Sequence, residues 1–510
     1  MLARTWSQYQ TNIFNFVSVD VNDAVAMAIY GGKRNAVIKA VAGSGKTTTI
    51  VEAINCIRAG LSSIFLAFGK AIADELKARG VNARTFHSLV FGVVMRYKHQ
   101  REPKQGKLRD IIDSALTGYE QKLYGQFVTK LVGLARNAGI GCLPESPDVP
   151  DTWLALAEHH DLELDHEDAK IERGVQIASE ILQACYESPF VDFDDMMYIA
   201  VRDGLVLPKF DFVLVDEGQD TNPIQRAILR KIMKPTSRLV VVGDDAQAIY
   251  GFRGADSDSL KLIADEFDCI ELPLTVTYRC PTTVVAYARK WVKHIEAAPN
   301  AEAGEVKDLG QTWTHKNFTS GDLVVCRTTK PLVTLAYQLI KMRVPACIMG
   351  KEIGKGLVSL VRKMNPKGID ALVDKLNDWT AREYEKAIAK KQEAKAEAIQ
   401  DKTDCVLCII DSLPLTDRTV PALERAIEEL FTDRKAAVTL ASIHKSKGLE
   451  AERVFWLNAH ACPAKWARQE WQQQQERNLC YVATTRAKRA LFLIEEKVPV
   501  SAAEPAPALA

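Results

Sequence analysis

The residue types with the clearest chemical meaning lie in one short segment, residues 37–49, which reads VIKAVAGSGKTTT. Its apolar start predicts a buried strand, and the lysine and threonines after it predict the beginning of a helix. Between the two, a glycine-rich turn would direct backbone N–H groups and the helix N-terminus to one place, which suits a triphosphate. The candidate nucleotide-binding residues are Ala42, Gly43, Ser44, Gly45, Lys46, Thr47 and Thr48.

Two side chains of this segment have distinct predicted tasks. Lys46 would reach the β- and γ-phosphates of ATP, and the Thr47 hydroxyl would hold Mg²⁺. The general phosphate-loop pattern has glycine at the position of Ala40, so this chain departs from it there. The alternative is a glycine-rich turn that merely precedes a lysine. The contiguous Gly-Ser-Gly-Lys-Thr run between strand and helix favours the phosphate loop.

Two later apolar runs, residues 212–215 and 239–242, each end in polar side chains. Ligands of open α/β sheets bind at the carboxyl ends of the strands. Asp216 and Glu217 follow the first run, where one carboxylate could hold Mg²⁺ through water and the other could activate the attacking water. Paired acids after a strand are also common helix N-caps, and Asp220 fits that role.

The loop after the second run carries aromatic residues and an arginine interleaved with glycines, namely Tyr250, Phe252 and Arg253. A loop cannot easily bury such rings, but it can offer them to unpaired bases. Far upstream, Gln10 lies near the start of a predicted helix. A glutamine there either reads adenine through paired amide hydrogen bonds or is an ordinary helix-start residue, and the sequence leaves both open.

Alternating strands and helices predict an α/β fold with parallel sheets in two units, each interrupted by a mainly helical insertion. The first unit is expected at 1–89 and 190–276 with its insertion at 90–189, the second at 277–350 and 436–500 with a short insertion at 351–435, and a disordered tail at 501–510. Within the second insertion, the charged stretch 381–402 is expected to be a solvated helix with ion pairs rather than a partner-binding helix.

The composition restricts the function classes. With 66 basic and 65 acidic residues, any nucleic-acid surface must be a local patch and not a global basic field. Eleven cysteines without framework spacing indicate free thiols in a reducing compartment. The CxxC pair Cys405 and Cys408 is read as two apolar positions rather than a zinc site. Because no segment approaches a membrane span, a cytoplasmic protein without membrane association is expected.

Over nearly its whole length the chain resembles superfamily 1 helicases of the UvrD/Rep type. The matching segments, in family order and spacing, are AVAGSGKT, FLAFGKAIADEL, ARTFHSL, DFDDMM, LVDEGQD, VVGDDAQAIYGFRGA, TYRCP, SIHKSKGLEAERVF and YVATTRAK. The resemblance implies two RecA-like domains with ATP and Mg²⁺ in the cleft between them. It also implies that single-stranded DNA and single/double-strand junctions are bound across the tops of the domains.

Residue roles follow from the same resemblance. Glu217 would be the general base, Gln247 would sense the γ-phosphate, and Tyr278 would stack on adenine. Arg279 and Arg486 would meet the γ-phosphate from the second domain. The resemblance places Gly448 and Glu450 at the nucleotide, with Glu450 on the ribose, and adds these DNA contacts to the aromatic loop: Phe68, Thr85, Phe86, His87 and His444.

The sequence thus predicts an ATP hydrolase, a DNA helicase that translocates 3′ to 5′ on single-stranded DNA, with replication or repair proteins as partners. The alternative is a DNA-stimulated ATPase that remodels or strips protein–DNA complexes without unwinding. A nucleotide-dependent switch or kinase unrelated to nucleic acid would lack both the second-domain arginines and the aromatic loop.

Overall fold

The computed structural model describes residues 5–160, 162, 164, 168–249, 258–390, 392–434 and 436–497. It divides into two units, Met1–Thr275 and Val276–Ala510. The predicted tail at 501–510 and the aromatic-loop residues Tyr250, Phe252 and Arg253 lie outside the described residues.

The first unit is built on a six-stranded parallel sheet in the order β3-β2-β4-β5-β1-β6. Its strands are β1 Asn35–Ala40, β2 Ser63–Leu66, β3 Ala83–Arg84, β4 Phe210–Val215, β5 Met233–Gly243 and β6 Cys269–Leu274. Its helices are α1 Gln8–Ser18, α2 Ala24–Ala28, α3 Lys46–Asn55, α4 Lys70–Ala78, α5 Phe86–Tyr97, α6 Lys107–Ala115, α7 Gly118–Ala138, α8 Pro150–His159, α9 Ile171–Glu187, α10 Phe193–Arg202, α11 Pro223–Ile232 and α12 Ser259–Glu266.

The register of the strands explains why the candidate nucleotide-binding and catalytic residues lie at one edge of this sheet. In β1, Val37 lies opposite Val241 of β5, and in β4, Val215 lies opposite the same residue. All three strands are parallel, so the segments that follow their carboxyl ends emerge together. These segments are the glycine-rich turn, the acids at 216–217 and the polar run that begins at Asp244.

The two faces of the first sheet are covered differently. One face packs against α1, α3 and α4 through residues such as Phe16, Ile50 and Phe65. On the other face a single hydrophobic core joins the sheet to the helical segment, and it includes Leu66 and Val241 together with Phe127, Trp153 and Ile181. The helical segment is therefore packed on the sheet as part of one core.

The second unit contains a seven-stranded parallel sheet in the order β12-β11-β13-β10-β14-β15-β9, and a separate parallel pair β7-β8. The strands are β7 Val276–Thr277, β8 Glu296–Ala297, β9 Glu305–Gly310, β10 Asp322–Cys326, β11 Ala346–Met349, β12 Phe431–Thr432, β13 Val438–Ser442, β14 Ala451–Leu457 and β15 Ala487–Ile494. The helices are α13 Thr282–Ala288, α14 Lys330–Lys341, α15 Lys351–Lys363, α16 Ile369–Ala389, α17 Glu393–Ser412, α18 Val420–Leu430 and α19 Glu470–Thr484.

The α/β class with parallel sheets flanked by helices is thus confirmed. The charged stretch 381–402 is helical but belongs to two helices, the end of α16 and the start of α17, and Lys386 and Glu383 of α16 form one of the expected ion pairs at 3.2 Å. The chain breaks after α16, and α17 returns antiparallel to it, with the hydroxyls of Thr380 and Thr403 2.6 Å apart. Two acids of α17 contact other parts of the second unit. Glu397 accepts from the Trp466 indole at 3.0 Å, and Asp401 accepts from the backbone N–H of Lys330 at 2.7 Å.

Candidate functional site

The glycine-rich turn between β1 and α3 has the shape that its sequence predicts. Gly43 and Gly45 have φ angles of 72° and 78°, in the left-handed region that glycine adopts without strain. Gly45 is the N-cap of α3 and supplies no side-chain hydrogen bond, so the helix start presents its N–H groups and positive dipole end. The Ser44 hydroxyl is buried and has no hydrogen-bond partner among the described residues. This turn therefore fits a phosphate group.

Lys46, the first residue of α3, is held by acids. Its ammonium nitrogen lies 3.2 Å and 3.3 Å from the two carboxylate oxygens of Glu217. Burial by itself would lower the pKa of Lys46, but the carboxylates of Glu217, Asp244 and Asp216 outweigh it, and the pKa is raised. Lys46 is therefore a permanent cation here, and a phosphate must compete with Glu217 for it.

Asp216 and the Thr47 hydroxyl form the candidate Mg²⁺ position. Thr47 Oγ1 donates to Asp216 Oδ2 at 3.0 Å, and the backbone N–H of Glu217 donates to the other oxygen at 2.9 Å. Burial, followed by the Glu217 charge, raises the pKa of Asp216 to about 6. Mg²⁺ is bound in proteins by one or two oxygen ligands together with water and phosphate. A hydroxyl and a carboxylate at this separation, beside a phosphate turn, fit that ion.

Glu217 has an unusual backbone conformation, with φ at 51°. A residue other than glycine rarely occupies this region, and when it does it often lies at a functional site, held by its surroundings. The next residue supplies part of that constraint. A Cβ added to Gly218 would lie 2.2 Å from Val241 Cγ1, so a side chain there would displace the segment from β5.

Gln247 lies in a short 3₁₀ turn after β5 and is buried. Its amide donates to Asp244 Oδ2 at 2.6 Å. Burial raises the pKa of Asp244, although Lys46 opposes the effect. The structure thus brings Gln247, Lys46 and the two acids at 216–217 into one group within the first unit.

Gln10 packs against the phosphate-turn helix, with both ends of its amide engaged. Its Nε2 donates to Thr49 Oγ1 at 2.9 Å, and its Oε1 accepts from the backbone N–H of Ser7 at 3.1 Å. The residue is the third of α1 and closes a capping box with Ser7. Of the two interpretations that the sequence left open, this arrangement favours the structural one, because Gln10 ties α1 to α3.

In the second unit, Arg279 and Glu450 form an ion pair. Arg279 Nε lies 2.7 Å from one Glu450 oxygen, and Lys488 Nζ lies 2.5 Å from the other. Burial would raise the pKa of Glu450, but Lys488 and Arg279 together lower it. Gly448, nearby in sequence, has a φ of 89° with open space where a side chain would begin.

Arg486 lies at the end of the same group, between α19 and β15. It is 1% exposed, and its guanidinium donates to the carbonyl oxygens of Val482 at 2.9 Å and Leu449 at 3.2 Å. The ring of Tyr278, next to Arg279, is 47% exposed. The second unit thus assembles four of the predicted nucleotide-site residues, Tyr278, Arg279, Glu450 and Arg486, around the end of α19.

The predicted DNA contacts fall into two groups. Phe68 is 43% exposed, Thr85 is the N-cap of α5, and His87 and His444 are half-buried. Phe86, by contrast, is 4% exposed and belongs to the core beneath the sheet, so the expectation that its ring contacts DNA is wrong. Because α5 begins at Phe86, the same short motif sends one ring inward and presents the next residue outward.

Two residues that the sequence analysis overlooked lie next to these groups. Phe193, the first residue of α10, is 55% exposed and its ring centre is 6.5 Å from that of His87. Gln219 is buried between Glu217 and Asp244. The sequence contained a signal for each residue. Phe193 is an aromatic residue at the start of an acidic helix, and Gln219 is a glutamine with acids close on both sides.

One further sequence prediction, the N-cap of α11, is contradicted by the structure. The N-cap of α11 is Asn222, which accepts from the Gln225 N–H, so assigning this cap to Asp220 was wrong; Asp220 lies in a 3₁₀ turn. Among the described residues no group of three or more His, Cys, Asp or Glu could hold a metal ion. No described helix is both long and apolar enough to cross a membrane.

Comparison with known proteins adds an independent observation. A model of the UvrD/REP helicase N-terminal domain matches residues 21–268, and one of the UvrD-like helicase C-terminal domain matches residues 360–497. The chain is 27% identical to a probable DNA helicase II homolog of Mycoplasma pneumoniae over 56% of this chain and 43% of that protein. It is 24% identical to F-box DNA helicase protein 1 of Schizosaccharomyces pombe over 89% of this chain and 55% of that protein.

A third relative is DNA helicase II of Escherichia coli, 26% identical over 54% of this chain and 40% of that protein. The chain therefore spans about half the length of these curated relatives, or less.

Proposed function

This chain belongs to the UvrD/Rep family of superfamily 1 helicases, and from that premise we propose that it hydrolyses ATP to translocate 3′ to 5′ along single-stranded DNA and to unwind duplexes. The observation that carries the proposal is the group Lys46, Thr47, Asp216 and Glu217 at the carboxyl edge of the first sheet. It combines a phosphate turn, a magnesium position and a general base.

The proposed chemistry begins with an exchange of partners at Lys46. The lysine leaves the Glu217 carboxylate for a phosphate oxygen, and the carboxylate is then available to accept a proton from water. Mg²⁺, held by Thr47 and Asp216, would neutralise charge on the phosphates. Gln247, bonded to Asp244, is proposed to respond to the γ-phosphate.

The second unit is proposed to supply the arginines that stabilise the charge on the γ-phosphate. We infer that Arg279 and Arg486 act on the γ-phosphate in the nucleotide-bound state, where a positioned arginine is worth about 10³–10⁵ in rate. Glu450 holds Arg279 in this structure, and Thr485 O accepts from the same guanidinium at 3.3 Å. Tyr278 is proposed to stack on adenine, for which its exposed ring is suited.

Single-stranded DNA is the proposed track, with single/double-strand junctions as its entry point. Phe68, His87 and the overlooked Phe193 present exposed or half-buried rings on the first unit, and base stacking is tolerant of sequence. Tyr250, Phe252 and Arg253 are proposed to contribute from their loop. We also propose the insertion boundaries given above, 90–189 and 351–435, since α6 to α9 lie within the first range and α15 to α18 within the second.

The decisive experiment combines ATPase and strand-displacement assays. We expect single-stranded DNA to stimulate hydrolysis, and a duplex with a 3′ tail to be separated while one with a 5′ tail is not. Lys46→Ala serves as the inactive control. Hydrolysis without strand release on either substrate would instead support a remodelling ATPase, and the absence of any DNA stimulation would refute both functions.

A further inference from the structure

Gln219 lies between the segments that follow β4 and β5, which carry Glu217 and Asp244. It lies in the turn Gly218–Asp220 after β4 and is 1% exposed. Its amide nitrogen donates to Glu217 Oε2, and its amide oxygen accepts from the backbone N–H of Asp244 at 3.0 Å. The Gln219 side chain thus forms hydrogen bonds both to Glu217, the proposed general base after β4, and to the segment that follows β5.

The packing around Gln219 holds it in this position. A Cβ added to Gly243 would lie 2.6 Å from Gln219 Oε1, so the last residue of β5 must be glycine for the amide to reach Asp244. Gly218 is equally constrained, since a Cβ there would meet both Val241 and Leu260. Two glycines therefore form a slot in which the glutamine has little rotational freedom.

We propose that Gln219 is a positioning residue for the Glu217 carboxylate and joins it, through Asp244, to Gln247. The proposal rests on the function proposed above, because it concerns the same site. The chain of contacts is continuous: Gln219 bonds Glu217 and the Asp244 N–H, and Asp244 Oδ2 accepts from Gln247 at 2.6 Å.

The physical reason is that Glu217 must not lose its orientation when Lys46 turns to a phosphate. The Gln219 amide keeps one carboxylate oxygen in place after that exchange. Because the amide is neutral, it orients the carboxylate without suppressing its basicity as strongly as a cation would. The amide oxygen of Gln219 is bonded to the Asp244 N–H, and the Asp244 carboxylate is bonded to Gln247. A movement of Gln247 would therefore shift Asp244 and, through Gln219, the Glu217 carboxylate.

The test replaces the amide with a carboxylate of the same shape. In Gln219→Glu, the acceptor for the Asp244 N–H is retained, but an oxygen now faces Glu217 and, at 3.4 Å from the present amide nitrogen, Asp220 Oδ2. Two carboxylates at this distance share protons, which raises the pKa at which the base becomes available. We expect kcat at pH 7 to fall about ten- to hundredfold, the acid limb of the kcat profile to move to higher pH, and KM for ATP to change less than about twofold.

The matched control is Gln225→Glu on the same segment. Gln225 is also buried, but its amide oxygen accepts from the Asn222 N–H in the α11 capping box, a position where glutamate is equally suitable. This variant should keep the wild-type kcat and pH profile. Gln219→Met removes both the donor to Glu217 and the acceptor for the Asp244 N–H without adding charge. It should lower kcat without moving the acid limb, and it provides the test if Gln219→Glu does not fold.

The outcomes separate this inference from the proposed function. If the wild type hydrolyses ATP and both Gln219 variants retain its kcat and pH profile, the positioning role is overturned while the function stands. A shift of equal size in the Gln225 control would overturn it too. If the wild type hydrolyses no ATP, with or without DNA, the inference and the proposed function fall together.

Discussion

Replacing Asp216 with asparagine should stabilise the nucleotide-free protein while abolishing its activity. Asp216 is 3% exposed, and its pKa is raised from the ordinary 3.8 to about 6, first by burial and then by Glu217. Each pKa unit corresponds to about 1.4 kcal/mol, so ionised Asp216 costs the folded state about 3 kcal/mol. The attraction of Lys46 is already included in this pKa, but asparagine can accept only one of the two hydrogen bonds that the carboxylate accepts from Thr47 and from the Glu217 N–H, which leaves an expected gain of about 1–2 kcal/mol at pH 7.5.

The pH dependence of this gain has a definite sign. Between the pKa of the unfolded chain, 3.8, and the folded value of about 6, the folded state binds more protons than the unfolded state. The contribution of Asp216 to the free energy of unfolding is therefore intact below pH 3.8 and is lost as the pH rises through 6. The difference between Asp216→Asn and the wild type should be smallest near pH 4 and largest above pH 7.

Thermal unfolding in EDTA, together with hydrogen exchange of the β4 amides, would measure the effect locally. A gain of 1 kcal/mol raises the melting temperature by roughly 2–4 °C for a unit of this size. ATPase activity should be lost, because the candidate magnesium position loses its carboxylate.

A control of the opposite sign is Asp211 in β4, the strand that Asp216 follows. The Asp211 carboxylate accepts from Lys234 at 2.7 Å and from the Ser62 hydroxyl at 2.7 Å. These hydrogen bonds lower its pKa to about 2. Asp211→Asn should therefore destabilise the protein at neutral pH, by an amount that disappears as the pH falls towards 2. If both asparagine variants changed stability in the same direction, or if the Asp216→Asn gain did not vary with pH, the electrostatic reasoning would be refuted.

The remaining predictions concern the ligands and one helix end. Lys46→Ala should abolish DNA-stimulated ATPase while single-strand affinity, measured by fluorescence anisotropy, stays within about twofold; surviving turnover would exclude this lysine from the mechanism. Phe193→Ala and Phe252→Ala should each weaken single-strand binding by about 1–3 kcal/mol, and an unchanged Kd would exclude that ring as a stacking platform. Asn222→Ala removes the cap of α11 and should lower the free energy of unfolding by about 1 kcal/mol in denaturant titrations.

The sequence predicted those parts of the site that depend on neighbours along the chain. The phosphate turn needs a strand, flexible glycines and a helix start within a few residues, and Gly43, Gly45 and Lys46 meet that requirement locally. The acids after β4 were predicted for the same reason, because parallel strands bring their carboxyl ends to a common edge.

Contacts that depend on strand register could not be predicted in this way. Gln219 reaches the Asp244 N–H only because β4 and β5 are paired with Val215 opposite Val241, which no local pattern reveals. Phe86 was assigned to DNA although it faces the core, since a motif does not specify which of its rings points inward. In α17, the acids Glu393, Glu397 and Asp401 share one helical face, yet only the fold shows that this face meets the rest of the second unit.

The charges at the candidate site suggest why stability and activity oppose each other there. Two buried acids, Asp216 and Asp244, and the partly exposed Glu217 surround the single ammonium of Lys46, and burial raises the pKa of Asp216 and of Asp244. Such a group is costly to keep ionised in the folded state without ligands. Binding of a magnesium–triphosphate complex would supply charges of both signs at once, and Asp216 and Lys46 could each exchange a protein partner for a ligand partner. The same buried acids that weaken the ligand-free unit would then contribute to its affinity for the complex, so we expect nucleotide binding with Mg²⁺ to raise the melting temperature of the wild type and to leave that of Asp216→Asn nearly unchanged.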